Sequence, residues 1–344
     1  MRGRGFRLER ISPADGPRLA DFSIGDGWPL DGDRPEADEQ GRQWLRLVKT
    51  NNNDNPEPIL KTVSMPSRAV TTQVVAALDI PPSEQTLVVS RAEGAESHAG
   101  RAGMGYRDLL PNRFGGSVIA SHITIDTGGP VPDYVHYHAV GFQLIFCQQG
   151  WVRVAYEDQG PPIVMEAGDC VVQPPGIRHR VLESSAGLQV VEVGTPAEHD
   201  TFVEHEITLP TGIVAPDRDF AGQRFVFHQA ADAKWEPSLY AGHAWRDSGI
   251  GEATAGAGGV RVIRPADAAT TGTESAERYR HDGEFLMLFA LSGTTSVHVG
   301  DEPDPITLGE SDSVAIPAET PFSVTVADGE LLEVTVPAHT VQAE

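Results

Sequence analysis

The chain has few cysteines and few basic residues, and each shortage excludes a class of protein. Cys147 and Cys170 are the two cysteines among 344 residues, so the fold has no disulfide framework and suits a reducing compartment. Only 26 basic residues stand against 49 acidic ones. The resulting formal net charge of −23 repels nucleic acid and anionic membranes, so neither is an expected partner.

Long apolar runs are also missing. No stretch of about 18 apolar residues is present to span a bilayer, and the opening MRGRGFRLERISPADG lacks the apolar centre of a signal peptide. The patterns GxxxxGK and GxSxG, which would indicate a phosphate-binding loop or a nucleophile elbow, are absent as well. We therefore expect a cytoplasmic protein whose partner is a small molecule.

The length of 344 residues fits two domains and an extension. Residues 1–85 are rich in Gly, Pro, Asp and Asn and predict an N-terminal extension of loops and short elements, with a short helix over 71–80. Beyond them, short runs rich in Val, Ile, Leu and Phe alternate with Gly, Pro or Asp, which predicts an antiparallel all-β fold. We place one domain at 86–210 and another at 211–344.

These two domains are predicted to be copies of each other. DCVVQPPGIRHRV aligns with DSVAIPAETPFSV, which pairs Asp169 with Asp312 and Pro174 with Pro317, a shift of 143 positions in both cases. The same shift aligns FCQQGWVRV with FALSGTTSVHV. GYRDLLP and HAWRDSGI match at a slightly different shift and would be the first strands of the two copies. One constant shift joining separate motifs indicates an internal duplication.

The segment YVHYHAVGFQLIFCQQG, residues 134–150, carries the main functional signal. His136 and His138 lie on one face of a strand, about 7 Å apart, and can share one metal ion. Gln143 has the opposite parity, so a break near residues 139–141 is needed to direct it toward the same site. His179 follows a Pro-Pro-Gly turn that ends another predicted strand.

These residues and spacings resemble both halves of the cupin superfamily signature. The first half is HxH, three or four residues, Glu, six residues and Gly; here it is matched by His136, His138, Gln143 and Gly150, with glutamine in place of glutamate. The second half is Gly, five residues, PxG, two residues and His, and residues 168–179 match every spacing. The resemblance implies a double cupin, that is, two β-barrel (jelly-roll) domains after the N-terminal extension.

By the same resemblance, His136, His138, Gln143 and His179 would bind one divalent metal ion inside the N-terminal barrel. Fe(II) is favoured, and Mn, Ni, Zn or Co are compatible with the same donors. A carboxamide cancels none of the ion's charge, which favours anionic or enolisable substrates. The resemblance also implies a homo-oligomer, because cupin barrels commonly pair through edge strands.

The second copy does not repeat the ligand set. At the constant shift the four positions become Tyr279, His281, Leu286 and Phe322, which supply one imidazole and no chelating group. We therefore expect the C-terminal barrel to be degenerate as a site and to serve a structural role.

Four further residues are candidates for the substrate pocket. Strand alternation places Cys147 on the face of Gln143, and Arg153 could meet a substrate carboxylate. His122 and Tyr106 come from the first strands of the barrel. A core thiol and an exposed strand arginine are the alternative interpretations of the first two. The segment EHDTFVEHE, residues 198–206, is interpreted as a solvated face.

Three functions remain open at this point. Chain length, domain order and a metal in only the N-terminal barrel resemble the gentisate and salicylate ring-cleaving dioxygenases, which implies an Fe(II) dioxygenase acting on a small anionic substrate. Glutamine in the glutamate position resembles small cupins that process unsaturated uronates. That resemblance implies an isomerase, tautomerase or lyase acting on a sugar acid or enolisable carbonyl. The third alternative is a non-catalytic cupin that binds a metal or metabolite.

Overall fold

The computed structural model describes residues 6–10, 42–49, 62–66, 80–266 and 277–344, and the chain divides into two compact units. The first unit, residues 1–76, contains a three-stranded antiparallel sheet with its middle strand second in the chain. Its strands are β1 (Phe6–Arg10), β2 (Arg42–Lys49) and β3 (Thr62–Pro66). Residues 71–79 of the predicted short helix lie outside the described residues.

The second unit, residues 77–344, is built from short antiparallel strands rich in β-branched and aromatic residues. The strands of this unit are, in chain order, β4 (Val88–Ser90), β5 (His98–Ala99), β6 (Gly105–Asp108), β7 (Ile119–Ile125), β8 (Gly129–Pro130), β9 (His136–His138), β10 (Phe142–Gln149), β11 (Trp151–Tyr156), β12 (Ile163–Glu166), β13 (Cys170–Val172), β14 (His179–Ser184), β15 (Leu188–Thr195), β16 (Thr201–Val203), β17 (Val226–His228), β18 (Glu236–Pro237), β19 (His243–Asp247), β20 (Gly259–Pro265), β21 (Tyr279–His281), β22 (Phe285–Val299), β23 (Ile306–Leu308), β24 (Ser313–Ala315), β25 (Phe322–Val336) and β26 (Val341–Ala343).

Helical structure in the described part of the chain is slight. It consists of α1 (Ile250–Ala253) and three short 3-10 segments (Arg101–Gly103, Arg113–Gly116 and Ala230–Asp232). No helical segment among the described residues has the length and apolar character needed to cross a bilayer. The predicted all-β fold is confirmed.

The strands form two barrels. The N-terminal barrel consists of a seven-stranded sheet in the order β17-β13-β10-β15-β7-β6-β5 and a six-stranded sheet built around β12-β11-β14-β9-β16, with β8 on β14. The C-terminal barrel is one ten-stranded sheet, in which β22 and β25 are each 15 residues long. β22 corresponds to β10 and β11 together, and β25 corresponds to β14 and β15 together.

The predicted duplication is visible in the strand register. His136 of β9 pairs with His179 of β14, and at the same shift of 143 positions Tyr279 of β21 pairs with Phe322 of β25. The pair Leu144 and Val172 likewise recurs as Met287 and Ala315. The two copies therefore share strand order and register, which confirms a double cupin fold.

The two barrels also exchange strands. β4 pairs with β24 of the C-terminal barrel, whereas β17 pairs with β13 of the N-terminal barrel. An apolar cluster that includes Phe142, Phe146, Phe285 and Phe289 fills the space between the barrels. The domain boundaries at 85/86 and 210/211 stay predictions, and both exchanged strands form hydrogen-bonded pairs across the 210/211 boundary.

Candidate metal centre

Three histidines meet inside the N-terminal barrel. His136 and His138 are two residues apart on β9 and therefore share a face, and His179 begins the neighbouring strand β14, opposite His136. One ring nitrogen from each lies within 4.8 Å of the other two. The ring centres of His136 and His179 are 4.2 Å apart, and His138 is 5.1 and 5.3 Å from them. Among the described residues this is the one cluster of histidine, cysteine or acidic groups able to share an ion.

Each imidazole is oriented by an oxygen at its Nδ1 atom. His136 Nδ1 lies 2.8 Å from the Tyr134 carbonyl and His179 Nδ1 lies 3.1 Å from the Ile177 carbonyl. A carbonyl only accepts, so both Nδ1 atoms carry the proton. His138 Nδ1 lies 2.9 Å from the Thr201 hydroxyl. The ligand atom that each ring would present to a metal is therefore Nε2.

Gln143 reaches the same cavity because the chain breaks where the sequence requires it. β9 ends at His138 and β10 begins at Phe142, which confirms the break predicted at residues 139–141. The Pro-Pro-Gly turn closes the other side, since the Gly176 amide donates to the His138 carbonyl at 3.1 Å. Gly176 has φ +72°, a left-handed conformation that favours glycine.

A carboxylate fixes the Gln143 side chain. Gln143 Nε2 donates to Glu192 Oε1 at 2.6 Å, whereas Gln143 Oε1 is buried with no hydrogen-bond partner in the protein. A buried acceptor without a partner is costly unless something binds it. The oxygen of Gln143 therefore fits the fourth ligand position beside three imidazole nitrogens, a donor set suited to a divalent transition metal.

Sequence reasoning missed Glu192, and its presence corrects one expectation. The neutral Gln143 was expected to leave the ion's charge uncompensated and so to favour anions. The Glu192 carboxylate restores one negative charge immediately behind Gln143. The signal was present in LQVVEVGT, because alternation along β15 places Glu192 on the inward face with Leu188 and Val190.

The centre opens into a mostly aliphatic cavity. His138, Gln143, His179 and Glu192 line it together with ten aliphatic or methionine side chains. Tyr156 and Gln173 are the polar groups nearest to them: the Tyr156 ring is 5.8 Å from His179, and its hydroxyl accepts a 2.9 Å hydrogen bond from Gln173 Nε2. Burial raises the pKa of the Tyr156 phenol, and the hydrogen bond from Gln173 only partly offsets this rise. The phenol therefore stays protonated and able to donate a hydrogen bond.

One of the four candidate pocket residues lines the cavity and three do not. Tyr106 lines it. The Cys147 thiol points toward the carbonyls of Gln149 and Gly150 within the apolar core, and burial raises its pKa to about 12, with Asp169 and Glu166 adding to the effect. Arg153 pairs with Glu183 at 2.7 Å on the outer face of the sheet, where both side chains are partly exposed.

His122 faces the C-terminal barrel instead of the cavity. Its ring lies 5.7 Å from Phe289, and its Nε2 atom is 2.8 Å from Gln148 Oε1. Burial, together with the positive charge of Arg107, lowers the His122 pKa from 6.5 to about 4. His122 is therefore a neutral residue of the contact between barrels.

This placement predicts an acid-induced loss of stability. Between pH 6.5 and about 4, unfolded His122 binds a proton that folded His122 does not, so the free energy of unfolding falls as the pH falls through this range. The loss is on the order of 2 kcal/mol after allowance for partial solvent contact. His122→Gln should show a correspondingly smaller decline in urea unfolding between pH 7 and 4.5. Equal declines in the variant and the wild type would contradict the assignment.

The segment 198–206 is mostly exposed, as expected from its sequence, but two of its residues are partly buried near the histidines. The His199 ring lies 5.4 Å from that of His138, and Thr201 orients His138 as described above. Glu204 accepts a 3.0 Å hydrogen bond from the buried Arg178, which immediately precedes His179. Seven of its nine residues, including His205, are exposed, and His199 and Glu204 are partly buried. Their contacts depend on β16 pairing with β9, which the local sequence does not reveal.

The equivalent space in the C-terminal barrel is filled. Tyr279, Leu286 and Phe322 are fully buried in one apolar cluster with Tyr240. The His281 Nε2 atom lies 2.7 Å from the Ile316 carbonyl. Among the described residues no chelating set forms there. The prediction that the second copy lost the site is consistent with this packing.

Comparisons with known proteins agree with this fold. A family model described as a cupin domain matches residues 121–193. No curated protein sequence matches the chain. A mutant oxalate decarboxylase from Bacillus subtilis superposes with a TM-score of 0.55 at 12% identity, covering 74% of this chain and 79% of that one. An oxalate decarboxylase formate complex from Lactobacillus farciminis gives 0.54 at 14% identity, with 74% and 88% covered. Protein Ylba from E. coli gives 0.51 at 11% identity, with 76% and 94% covered.

Proposed function

Because this chain is a two-barrel member of the cupin superfamily, we propose that it is a metal-dependent enzyme acting on a small organic substrate. We propose further that it is an Fe(II) dioxygenase. The observation that carries the proposal is the cluster of three imidazoles, two of which, those of His138 and His179, line one cavity together with Gln143 and its unpartnered oxygen. Four protein donors leave one or two coordination positions open to a substrate or dioxygen.

The protein's own groups have distinct roles in this proposal. His136, His138, His179 and Gln143 hold the ion, and Fe(II), Mn, Ni, Zn or Co suit these donors. Such an ion would supply a Lewis acid and, if it is iron, a redox partner for dioxygen. The Tyr156 phenol can donate a hydrogen bond to a substrate oxygen near His179. The aliphatic walls exclude water and hold the apolar part of the substrate.

A non-oxidative reaction is the second candidate. Its support is the shared fold with oxalate decarboxylases and the carboxylate of Glu192 at the centre. In an isomerase, tautomerase or lyase, the ion and Tyr156 would stabilise the negative charge that develops on a carbonyl oxygen. A non-catalytic binding protein remains the third alternative.

Oxygen dependence separates these candidates. The Fe(II)-loaded protein should consume dioxygen when mixed with 1,3-diketones, catechols or gentisate-like acids, and the same mixture should be inert under strict anaerobiosis. Measurement of oxygen uptake with an oxygen electrode checks this. Turnover without oxygen would replace the dioxygenase proposal with the second candidate, and tight binding without turnover would favour the third. Elemental analysis of the purified protein identifies the native metal.

Two other expectations stay predictions. A homo-oligomer is expected from edge-strand pairing, and β12 and β16 are the ends of the six-stranded sheet of the N-terminal barrel. Light scattering with size-exclusion chromatography measures the state. A cytoplasmic location is likewise an expectation of the sequence.

A further inference from the structure

We infer that the substrate is an electrically neutral molecule with an apolar body and a carbonyl or hydroxyl head, and that the site discriminates against dicarboxylates. The inferred head group of the substrate rests on the proposed function. The inferred apolar body of the substrate rests on the side chains that line the cavity. It differs from the anionic substrate expected from the sequence.

The cavity contains no cationic side chain to pair with a substrate carboxylate. Of its seventeen lining residues, ten are aliphatic or methionine, and none of the described residues that line it is Lys or Arg. The nearest candidate from the sequence, Arg153, lies on the outer face and is occupied by Glu183. A substrate carboxylate that enters the aliphatic part would lose its hydration without gaining a partner.

The one carboxylate that lines the cavity adds repulsion. Glu192 is hydrogen-bonded to Gln143 and therefore lies beside the position that the substrate head would occupy. With a divalent ion bound, the charges of ion and Glu192 sum to +1. A neutral substrate leaves the centre singly positive. A substrate that loses one proton to solvent and binds as a monoanionic enolate leaves the centre neutral. A dicarboxylate would leave it with an uncompensated negative charge.

The neutral polar groups suit an oxygen-bearing head. Tyr156 and Gln173 form a hydrogen-bonded pair close to His179, and the phenol proton is available to an acceptor on the substrate. The rest of the lining consists of Ile, Val, Leu and Met side chains and of Tyr106, whose hydroxyl lies 3.4 Å from the Met104 sulfur, and it suits an apolar body. Polar groups at the centre and aliphatic walls elsewhere thus match an amphipathic, uncharged molecule.

Acetylacetone and malonate provide a matched pair of probes, because each malonate carboxylate oxygen replaces one methyl group of the diketone. Binding is measured by calorimetry on Zn(II)-loaded protein, which cannot carry out oxygen chemistry, and on metal-free protein. Benzoylacetone extends the apolar body. We expect acetylacetone to bind Zn(II)-loaded protein at least tenfold more tightly than malonate, and benzoylacetone to bind more tightly still, with part of its affinity retained by the metal-free protein.

A charge variant tests the role of Glu192. At a Zn(II) concentration that saturates the variant, Glu192→Gln should improve malonate binding about tenfold and acetylacetone binding less, whereas Glu183→Gln, on the outer face, should alter neither. Malonate or oxalate binding more tightly than acetylacetone, with no effect of Glu192→Gln, would overturn the inference while leaving the metal proposal intact. Preference of the metal-free protein for benzoylacetone over malonate would support it even if the protein proves not to be an enzyme.

Discussion

Replacement of His136 by alanine is expected to weaken binding of a divalent metal about a thousandfold and to abolish any metal-dependent turnover. A protein metal site with four ligands is worth roughly 10–16 kcal/mol, so the loss of one ligand costs roughly 3–4 kcal/mol. His136 is fully buried beside His138 and His179, and the cluster includes no fourth histidine among the described residues. Competition with a chromogenic chelator measures the affinity, and elemental analysis measures the metal content.

Two controls separate loss of the metal from loss of the fold. His205→Ala removes an exposed imidazole from the same barrel and should retain full metal content. Thermal unfolding of metal-free wild type and metal-free His136→Ala compares the folds without the ion. If His136→Ala keeps its native transition and still binds metal like the wild type, the three histidines do not form the site.

The sequence predicts the clustering of the three histidines because its signal is local. His136 and His138 share a face by strand alternation alone, and the Pro-Pro-Gly turn before His179 is determined by the conformations that proline and glycine allow. The break before Gln143 follows from parity. The constant shift of 143 positions predicts the second barrel, including the pairing of Tyr279 with Phe322, because duplicated chains keep the same register.

Features that depend on neighbouring strands were harder to predict. Glu192 lies 49 positions beyond Gln143 and meets it only because β15 pairs with β10. His122 is only a candidate for the pocket in the sequence, and it faces Phe289 of the other barrel. No local pattern distinguishes the two faces of a strand buried on both sides. The exchange of β4 and β17 between the sheets has the same cause, since short strands carry little information about their partners.

Glu192 also explains how this centre differs from one with a glutamate ligand. In the family signature the fourth ligand is itself the carboxylate. Here the carboxamide of Gln143 is the candidate ligand and the negative charge lies one hydrogen bond farther from the ion. The total charge of the centre is therefore the same in both arrangements, but its position is different.

Exchanging the two side chains tests this relation directly. Glu192→Gln alone keeps a hydrogen-bond acceptor for Gln143 but removes the charge. It should weaken metal binding about a hundredfold, since loss of one nearby negative charge costs roughly 2–3 kcal/mol after screening. The double variant Gln143→Glu/Glu192→Gln places the carboxylate at position 143 and the amide at position 192. The total charge and a donor-acceptor pair between the two side chains are thereby kept. It should bind Zn(II) at least as tightly as the wild type.

The comparison uses the same chelator competition, with Glu183→Gln as the variant that removes one carboxylate from the outer face of the barrel. Recovery identifies an interaction between the two positions if it differs from the sum of the effects of Gln143→Glu alone and Glu192→Gln alone, because independent effects would add. If Glu192→Gln binds Zn(II) as tightly as the wild type, the carboxylate contributes nothing to binding of the ion. Failure of the double variant to recover would show that Gln143 is required for its neutral amide, and the equivalence between the two arrangements would then be wrong.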